Sequence, residues 1–312
     1  MNIDDDFEIF YTVKLAPVLK RLKDKSKQAD TWVVIGLFSG MLAFLVLFSG
    51  SQLHALENYG AWFFILFSGV VFSVFKYVKK KDVYTGEYKT TVIREIIKHV
   101  SPRIEYKPGE MIDESEYARS SLFRRYYDNF YGDDYMEGLV NNIHFRCSEI
   151  QTNFETGGNH HQSIFKGLFF AIAINSRFTG GAYVWAKGNE QIPDSIYAGA
   201  YRMMPMPEIS FLDFNDPGFG KYFSAYANHY SQAVEILSPK LRQQLISIRK
   251  QLDRDISISF VAGECFIAIP FGEDILEPPN WNQEFKKEIL KDFQMIHLVV
   301  NTIKNVELSN LL

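Results

Sequence analysis

The sequence predicts an α+β protein: a two-helix transmembrane hairpin, then a domain with a mainly antiparallel, strongly bent sheet, tending toward a partly open barrel, with flanking helices. Three observations predict it. Two dense apolar runs lie close together before Lys79, positive charge stands on their outer flanks and not between them, and residues 79–312 mix short stretches of alternating polarity with charged, helix-like ones.

The first run, Trp32 to Gly50, lies inside a stretch from Thr31 to Leu56 without Asp, Glu, Lys or Arg. The second, Asn58 to Phe75, carries ten Val, Ile, Leu or Phe residues from Phe63 onward and ends at Lys76. About 20 such residues cross a hydrocarbon core. Each contributes roughly -0.3 to -0.6 kcal/mol to insertion with no charge in opposition. A buried helix in a soluble core would normally keep a polar stripe. A cleaved signal peptide would begin earlier, without the acidic start Asp4 to Asp6. The expected spans are residues 32–50 and 59–78.

Lysines and an arginine from Lys14 to Lys27 precede the first span, and Lys76, Lys79, Lys80 and Lys81 follow the second, while Ser51 to Gly60 has neither Lys nor Arg. Both termini are therefore expected in the cytoplasm. Trp32 and Tyr77 mark the inner interface, Tyr59 and Trp62 the outer one. Gly36 and Gly40 on the first helix, and Gly69 and Ser73 on the second, form small-residue faces at similar depth. They would let the two backbones approach inside the hairpin, or mediate homodimers.

Residues 1–31 form a juxtamembrane segment whose interrupted apolar pattern, Phe7, Phe10, Tyr11, Leu15, Leu19 and Leu22, suits either a helix lying on the membrane surface or a solvated basic helix. Residues 79–312 form the cytoplasmic domain. Helices are expected at Tyr88 to Val100, Ser115 to Arg125, Ser231 to Leu252 and Asn282 to Asn305. Strands are expected at Leu139 to Ile150, Ile164 to Asn175, Gly181 to Lys187, Glu208 to Phe214 and Tyr222 to Asn228, with two more flanking Gly263-Glu264. By count alone, about seven strands and a closing helix are similar to pleckstrin-homology-like barrels.

The net charge of -4 gives no field for nucleic acid, which is set aside as a partner. The two cysteines, Cys147 and Cys265, lie in apolar strand-like sequence and are expected as buried thiols. No cofactor, metal or catalytic residue is assigned. Asp128, Asp133, Asp134 and Glu137 crowd an expected loop around Tyr131-Gly132-Asp133-Asp134 and offer oxygen ligands, but their spacing is not that of a calcium loop, and a solvated turn is the simpler reading. Asn215-Asp216-Pro217 reads as a helix-starting turn. His160-His161 reads as a hairpin tip. Strand alternation puts His144, Arg146 and Ser148 on one face and Glu149 on the other, which works against a nucleophilic site. Lys166-Gly167 lacks a phosphate-loop spacing, so Gly167 is expected as a bulge or close-packing position. Asp133, Asp134, Glu137, Ser148, Glu149 and Lys166 remain as interaction or ligand candidates.

Several runs together resemble the bacterial domain-of-unknown-function family numbered 3137: YKTTVIREIIKHVSPRIEYKPG from Tyr88, SSLF from Ser120, YGDDYMEG from Tyr131, FRCSEI from Phe145, FKGLFFAIAIN from Phe165, FLDFNDPGFGKYFSAYAN from Phe211 and ILSPKLRQQL from Ile236. The resemblance covers nearly all of residues 85–271. It implies a protein anchored in the bacterial plasma (inner) membrane and names no reaction. Val234 and Glu235 stand where it leads one to expect an arginine and an aromatic residue.

Three functional classes follow. The first is a membrane-anchored cytoplasmic interaction or regulatory module whose partners are the bilayer and another protein. The second is a lipid-headgroup or small-ligand binding domain at the membrane surface. The third is a membrane-tethered hydrolytic enzyme using Asp133-Asp134 or the His144 strand.

Overall fold

The computed structural model describes residues 3–53, 59–155, 161–174, 178–191, 204–279 and 285–305. His160, Asn175, most of the turn between the two apolar runs and the expected helix start at Asn282 lie outside them. By contacts the chain divides into two units, residues 1–96 with 277–293, and residues 97–276 with 294–312.

The first unit is helical. Helix α1 (Ile3–Phe10) passes through a π-helical turn (Tyr11–Leu15) into the 38-residue α2 (Ala16–Leu53), and α3 (Tyr59–Tyr88, 30 residues) returns antiparallel in sequence order. At 1.5 Å per residue these are roughly 57 and 45 Å long. Lys76 therefore ends the apolar run but not the helix. A second π-helical turn (Lys89–Ile93) joins α3 to α4 (Arg94–Val100), so the helix expected from Tyr88 continues the second apolar helix.

Helices α2 and α3 pack closely where side chains are small: a Cβ at Gly36 would lie 2.4 Å from Ser73 Oγ, and one at Gly69 3.5 Å from Ser39 Oγ. Outside this seam the apolar side chains face outward; Leu37 and Phe64 are each 71% exposed.

The N-terminal apolar stripe is covered by protein. Phe7, Phe10, Leu15, Leu19 and Leu22 are buried, and the rings of Phe7 and Phe10 sit 5.4 and 5.9 Å from that of Phe293. Neither a surface-lying nor a solvated helix describes it, because its partner lies almost 300 residues away, beyond any local pattern.

In the same unit Tyr88 donates a hydrogen bond to the buried Asp292 carboxylate, and burial pushes Asp292 up to about 7. Lys89, also buried, pairs with Glu277 at 2.6 Å.

The second unit is a nine-stranded, wholly antiparallel sheet: β1 (Ile104–Lys107), β2 (Asn129–Val140), β3 (Ile143–Glu155), β4 (His161–Ala173), β5 (Gly181–Ala186), β6 (Ser210–Phe211), β7 (Phe223–Ala227), β8 (Ser257–Val261) and β9 (Glu264–Pro270). The order is β1-β2-β3-β4-β9-β8-β5-β7-β6, so the sheet is open, with β1 and the two-residue β6 as edges. Among the described residues the two edge strands do not pair, so the barrel is not closed.

The strand expected at Leu139 to Ile150 is the end of β2, a turn and the start of β3. Asn141 and Asn142 both take left-handed φ, +50° and +64°, which Asn tolerates and a two-residue hairpin turn requires.

Every residue of β5 is buried, as expected of a central strand covered on both faces. One face carries an aromatic core of Tyr117, Phe165, Phe169, Tyr183, Trp185 and Phe266, completed by α5 (Glu114–Arg119), which Asp113 caps through Ser115 N–H at 2.8 Å.

Asp216 caps the short α6 (Pro217–Gly220), as the Asn-Asp-Pro run suggests. The helix expected from Ser231 to Leu252 is two helices, α7 (Tyr230–Ile236) and α8 (Pro239–Leu252). Pro239 cannot continue a helix, but Ser238 before it caps a new one. The last element among the described residues is α9 (Phe285–Asn305).

Candidate functional site

The expected acidic loop is part of β2. Pairing with β3 shifts between Asp133 and Met136, and Asp134 takes φ +55°, the mark of a bulge. The Gly-Asp-Asp run that reads as a turn is thus a kink inside a strand, and a Cβ at Gly132 would lie 2.5 Å from Glu149 O.

The bulge keeps carboxylate oxygens of Asp133 and Asp134 within 4.8 Å of each other but gives the neighbouring acids separate partners. Asp134 is fully buried and accepts a hydrogen bond from Tyr106 Oη. Glu137 pairs with Lys107 at 3.0 Å and accepts from Tyr135 Oη at 3.0 Å; chiefly the Lys107 bond holds its carboxyl below the ordinary range. Asp128 accepts from Glu155 N–H at 2.7 Å. Asp133 stands directly across from Glu149.

Ser148 and Glu149 point to opposite faces. Ser148 Oγ, fully buried, accepts from Ile112 N–H at 2.9 Å, while His144 is exposed. Glu149 is buried, and its carboxylate accepts from Ile275 N–H at 2.9 Å. Lys166 pairs with Asp274 at 2.7 Å, and that bond raises its ammonium.

Of the six candidates, the structure brings together Asp133, Glu149 and Lys166, joined by Asp274, and sets the Asp134 carboxylate within 4.8 Å of that of Asp133. Desolvation, then the charges of Asp133 and Asp274, outweigh the Ile275 and Lys166 contributions and lift Glu149 to about 7.

A pH dependence follows. Glu149 holds its proton in the folded chain between its ordinary value of 4.5 and about 7, so stability falls as pH rises through that window and levels off above it. Glu149→Gln keeps an acceptor for Ile275 N–H without the charge. It is expected to raise the thermal midpoint above pH 7.5 by about 4–8 °C, equivalent to about 2 kcal/mol, and to match the wild type at pH 5. Thermal scans at both pH values check this.

Gly167 is a close-packing position, with φ +154° and space for no Cβ: one would lie 2.2 Å from Ile269 O and 2.7 Å from Phe271 N. Cys147 and Cys265 are buried free thiols, both pushed up by burial.

Sequence reasoning missed two features. One is an ion cluster in which Arg146 pairs with Glu116 at 2.7 Å and with Glu264, which also pairs with Arg119. The alternation of Arg146 with buried Phe145 and Cys147 hints at it, but its partners lie 30 and 118 residues away.

The second is a cavity of about 810 Å³ lined by Phe123, Phe165, Trp185, Lys166, Arg249 and Arg254, among others. Topology makes it. Strand β4 pairs with β3 from His161 onward, but β9 ends at Pro270 opposite Gly167, so the first half of β4 has no β9 beside it and a fork is left in the sheet.

A search of curated proteins finds no match. Among solved structures, the crystal structure of the mycobacterial trehalose monomycolate transport factor A, TtfA, is similar at 9% identity with a TM-score of 0.35, covering 67% of this chain and 93% of that one. Residues 163–308 match the family described as "Protein of unknown function (DUF3137)", a segment that begins in the cavity-lining half of β4. Over these residues, just under half of the chain, the protein is similar to the DUF3137 family.

Proposed function

We propose that the protein is a membrane-anchored interaction or regulatory module: α2 and α3 cross the inner membrane as a hairpin, both termini lie in the cytoplasm, and the sheet domain works by binding. One observation carries the anchor. Within the 18-residue apolar stretch of each helical segment, Asp30–Phe48 and Ala61–Val100, only 6% is buried by the protein. A soluble chain would not leave so large a contiguous apolar surface to water, whereas lipid solvates it without cost.

The lysine-rich flanks and lysine-free turn favour the cytoplasmic orientation. Binding is favoured over hydrolysis because Ser148 and Glu149 lie on opposite faces, with Ser148 enclosed by the core. The partner under this reading is another protein, recruited to the bilayer by a domain that the hairpin keeps there.

The test is alkaline carbonate extraction of membranes carrying the full chain, with a carboxyl-terminal epitope probed in intact and permeabilised cells. The chain is expected to stay in the pellet and the epitope to be reached only after permeabilisation. Release into the supernatant would remove the anchor, and labelling of intact cells would reverse the topology.

A further inference from the structure

We infer that the fork between β4 and β9 is a binding site for a small organic anion, an aromatic or acyl body bearing one phosphate or carboxylate group. Its volume of about 810 Å³ falls within the roughly 300–1,000 Å³ of small-molecule sites. The body is specified by the apolar wall. Phe123 and Phe165 stack with centroids 4.6 Å apart, and Trp185 spends its N–H on Leu122 O at 3.0 Å, leaving an indole with no polar group to offer the cavity. Such a wall takes a ring or hydrocarbon and rejects a bare ion.

The anion is specified by charge accounting around the rim. Arg249 is held by Asp253 at 3.2 Å and Asp255 at 2.9 Å, and Lys166 by Asp274 at 2.7 Å. Arg254 differs. Its guanidinium lies 4.4 Å over the Phe271 ring and gives one N–H to Pro270 O at 3.1 Å, with no carboxylate partner among the described residues. Stacking fixes the plane of the guanidinium and leaves further N–H donors along its edge, the arrangement that grips a phosphate or carboxylate through two parallel bonds. One uncompensated cation beside an aromatic wall selects a molecule with one anionic group at the end of an apolar body.

This deepens the binding-module reading and rests on it. The test uses the full chain in phosphatidylcholine nanodiscs, titrated calorimetrically with 1-naphthyl phosphate, 1-naphthol and inorganic phosphate, with empty nanodiscs subtracted. Naphthyl phosphate is expected to saturate at one per chain and to bind at least fivefold more tightly than either half-probe. Arg254→Gln is expected to weaken it at least fivefold, and Arg103→Gln, an exposed arginine outside the cavity, to leave it unchanged. Smaller differences, or no saturable binding, overturn the site.

Should Arg254→Gln fail to fold, Ser163→Trp, at an exposed lining position, plugs the fork and is held to the same fivefold criterion. Nanodiscs containing phosphatidic acid separate the ligand sources: competition with naphthyl phosphate assigns the anion to lipid, and its absence assigns it to a soluble compound, the site standing in both cases. Failure here leaves the membrane extraction result intact, so the site and the anchor fall separately.

Discussion

Gly167→Ala is expected to lower the thermal midpoint of the solubilised chain by about 6–16 °C. Two costs combine. The φ of +154° is open to glycine and strained for alanine, at roughly 1–2 kcal/mol. The added Cβ also meets backbone on the neighbouring strand, Ile269 O at 2.2 Å and Phe271 N at 2.7 Å. Backbone cannot rotate aside as a side chain would, so β4 and β9 must part where they first pair. That parting lengthens the 2.8 Å bond from Phe271 N–H to Lys166 O and costs on the order of 2 kcal/mol more. At 2–4 °C per kcal/mol, about 3–4 kcal/mol gives the stated shift.

Gly188→Ala is the control. Its φ is +88°, but nothing lies within 4 Å of the new Cβ, so only the conformational strain remains and a shift of about 2–8 °C is expected. Equal shifts for the two variants would show that the close approach of β4 and β9 contributes nothing.

What the sequence disclosed and withheld divides along the range of the interactions. The apolar helices, the Asn-Asp-Pro cap, the buried cysteines and the opposition of Ser148 to Glu149 depend on composition or on period-two alternation within a few residues, and all were legible. The β2 strand was not. Tyr131-Gly132-Asp133-Asp134 carries turn chemistry that the fold uses as a bulge, and Tyr106, the partner that makes a buried Asp134 tolerable, sits 28 residues away.

The cavity was less legible still. Lys166 is an interaction or ligand candidate in the sequence, but the fork it lines depends on where β4 stops pairing with β9, about 100 residues later in the chain. No local pattern encodes that divergence. Arg254 and Trp185 reach the same cavity from β8's approach and from β5, so the grouping exists only once the strand order is known.

The second large effect joins two of the family-like runs to each other. Arg242, in the run that begins ILSP, is buried and gives Nε to Asp216 at 3.1 Å and one terminal nitrogen to Leu237 O at 2.7 Å, with its plane 4.4 Å over Phe214. Asp216 and Phe214 belong to the run from Phe211. The sequence resemblance directs attention to an arginine missing before ILSP, at Val234 and Glu235. In the structure the arginine that tethers this region lies after it, four residues into α8.

Asp216 carries two loads, accepting the cap bond from Phe219 N–H at 3.0 Å and the Arg242 bond on its other oxygen. The cap, then Arg242, holds its carboxyl below 3.8, so this stabilisation is complete above that value and fades as pH falls through the lower folded value.

Arg242→Ala leaves Asp216 facing an apolar gap and Leu237 O without its donor, and is expected to cost about 3 kcal/mol or more, a drop of about 6–12 °C at pH 7. Asp216→Asn keeps the cap acceptor and removes the charge, so its drop should be about half as large. Asp216→Ala loses both and should match or exceed Arg242→Ala. Combining Arg242→Ala with Asp216→Ala should cost clearly less than the sum of the two, because each single change strands the other's partner. Simple additivity, measured by thermal scans of the four chains at pH 7, would mean that the two side chains act independently and that the helices α6 and α8 are held by packing alone.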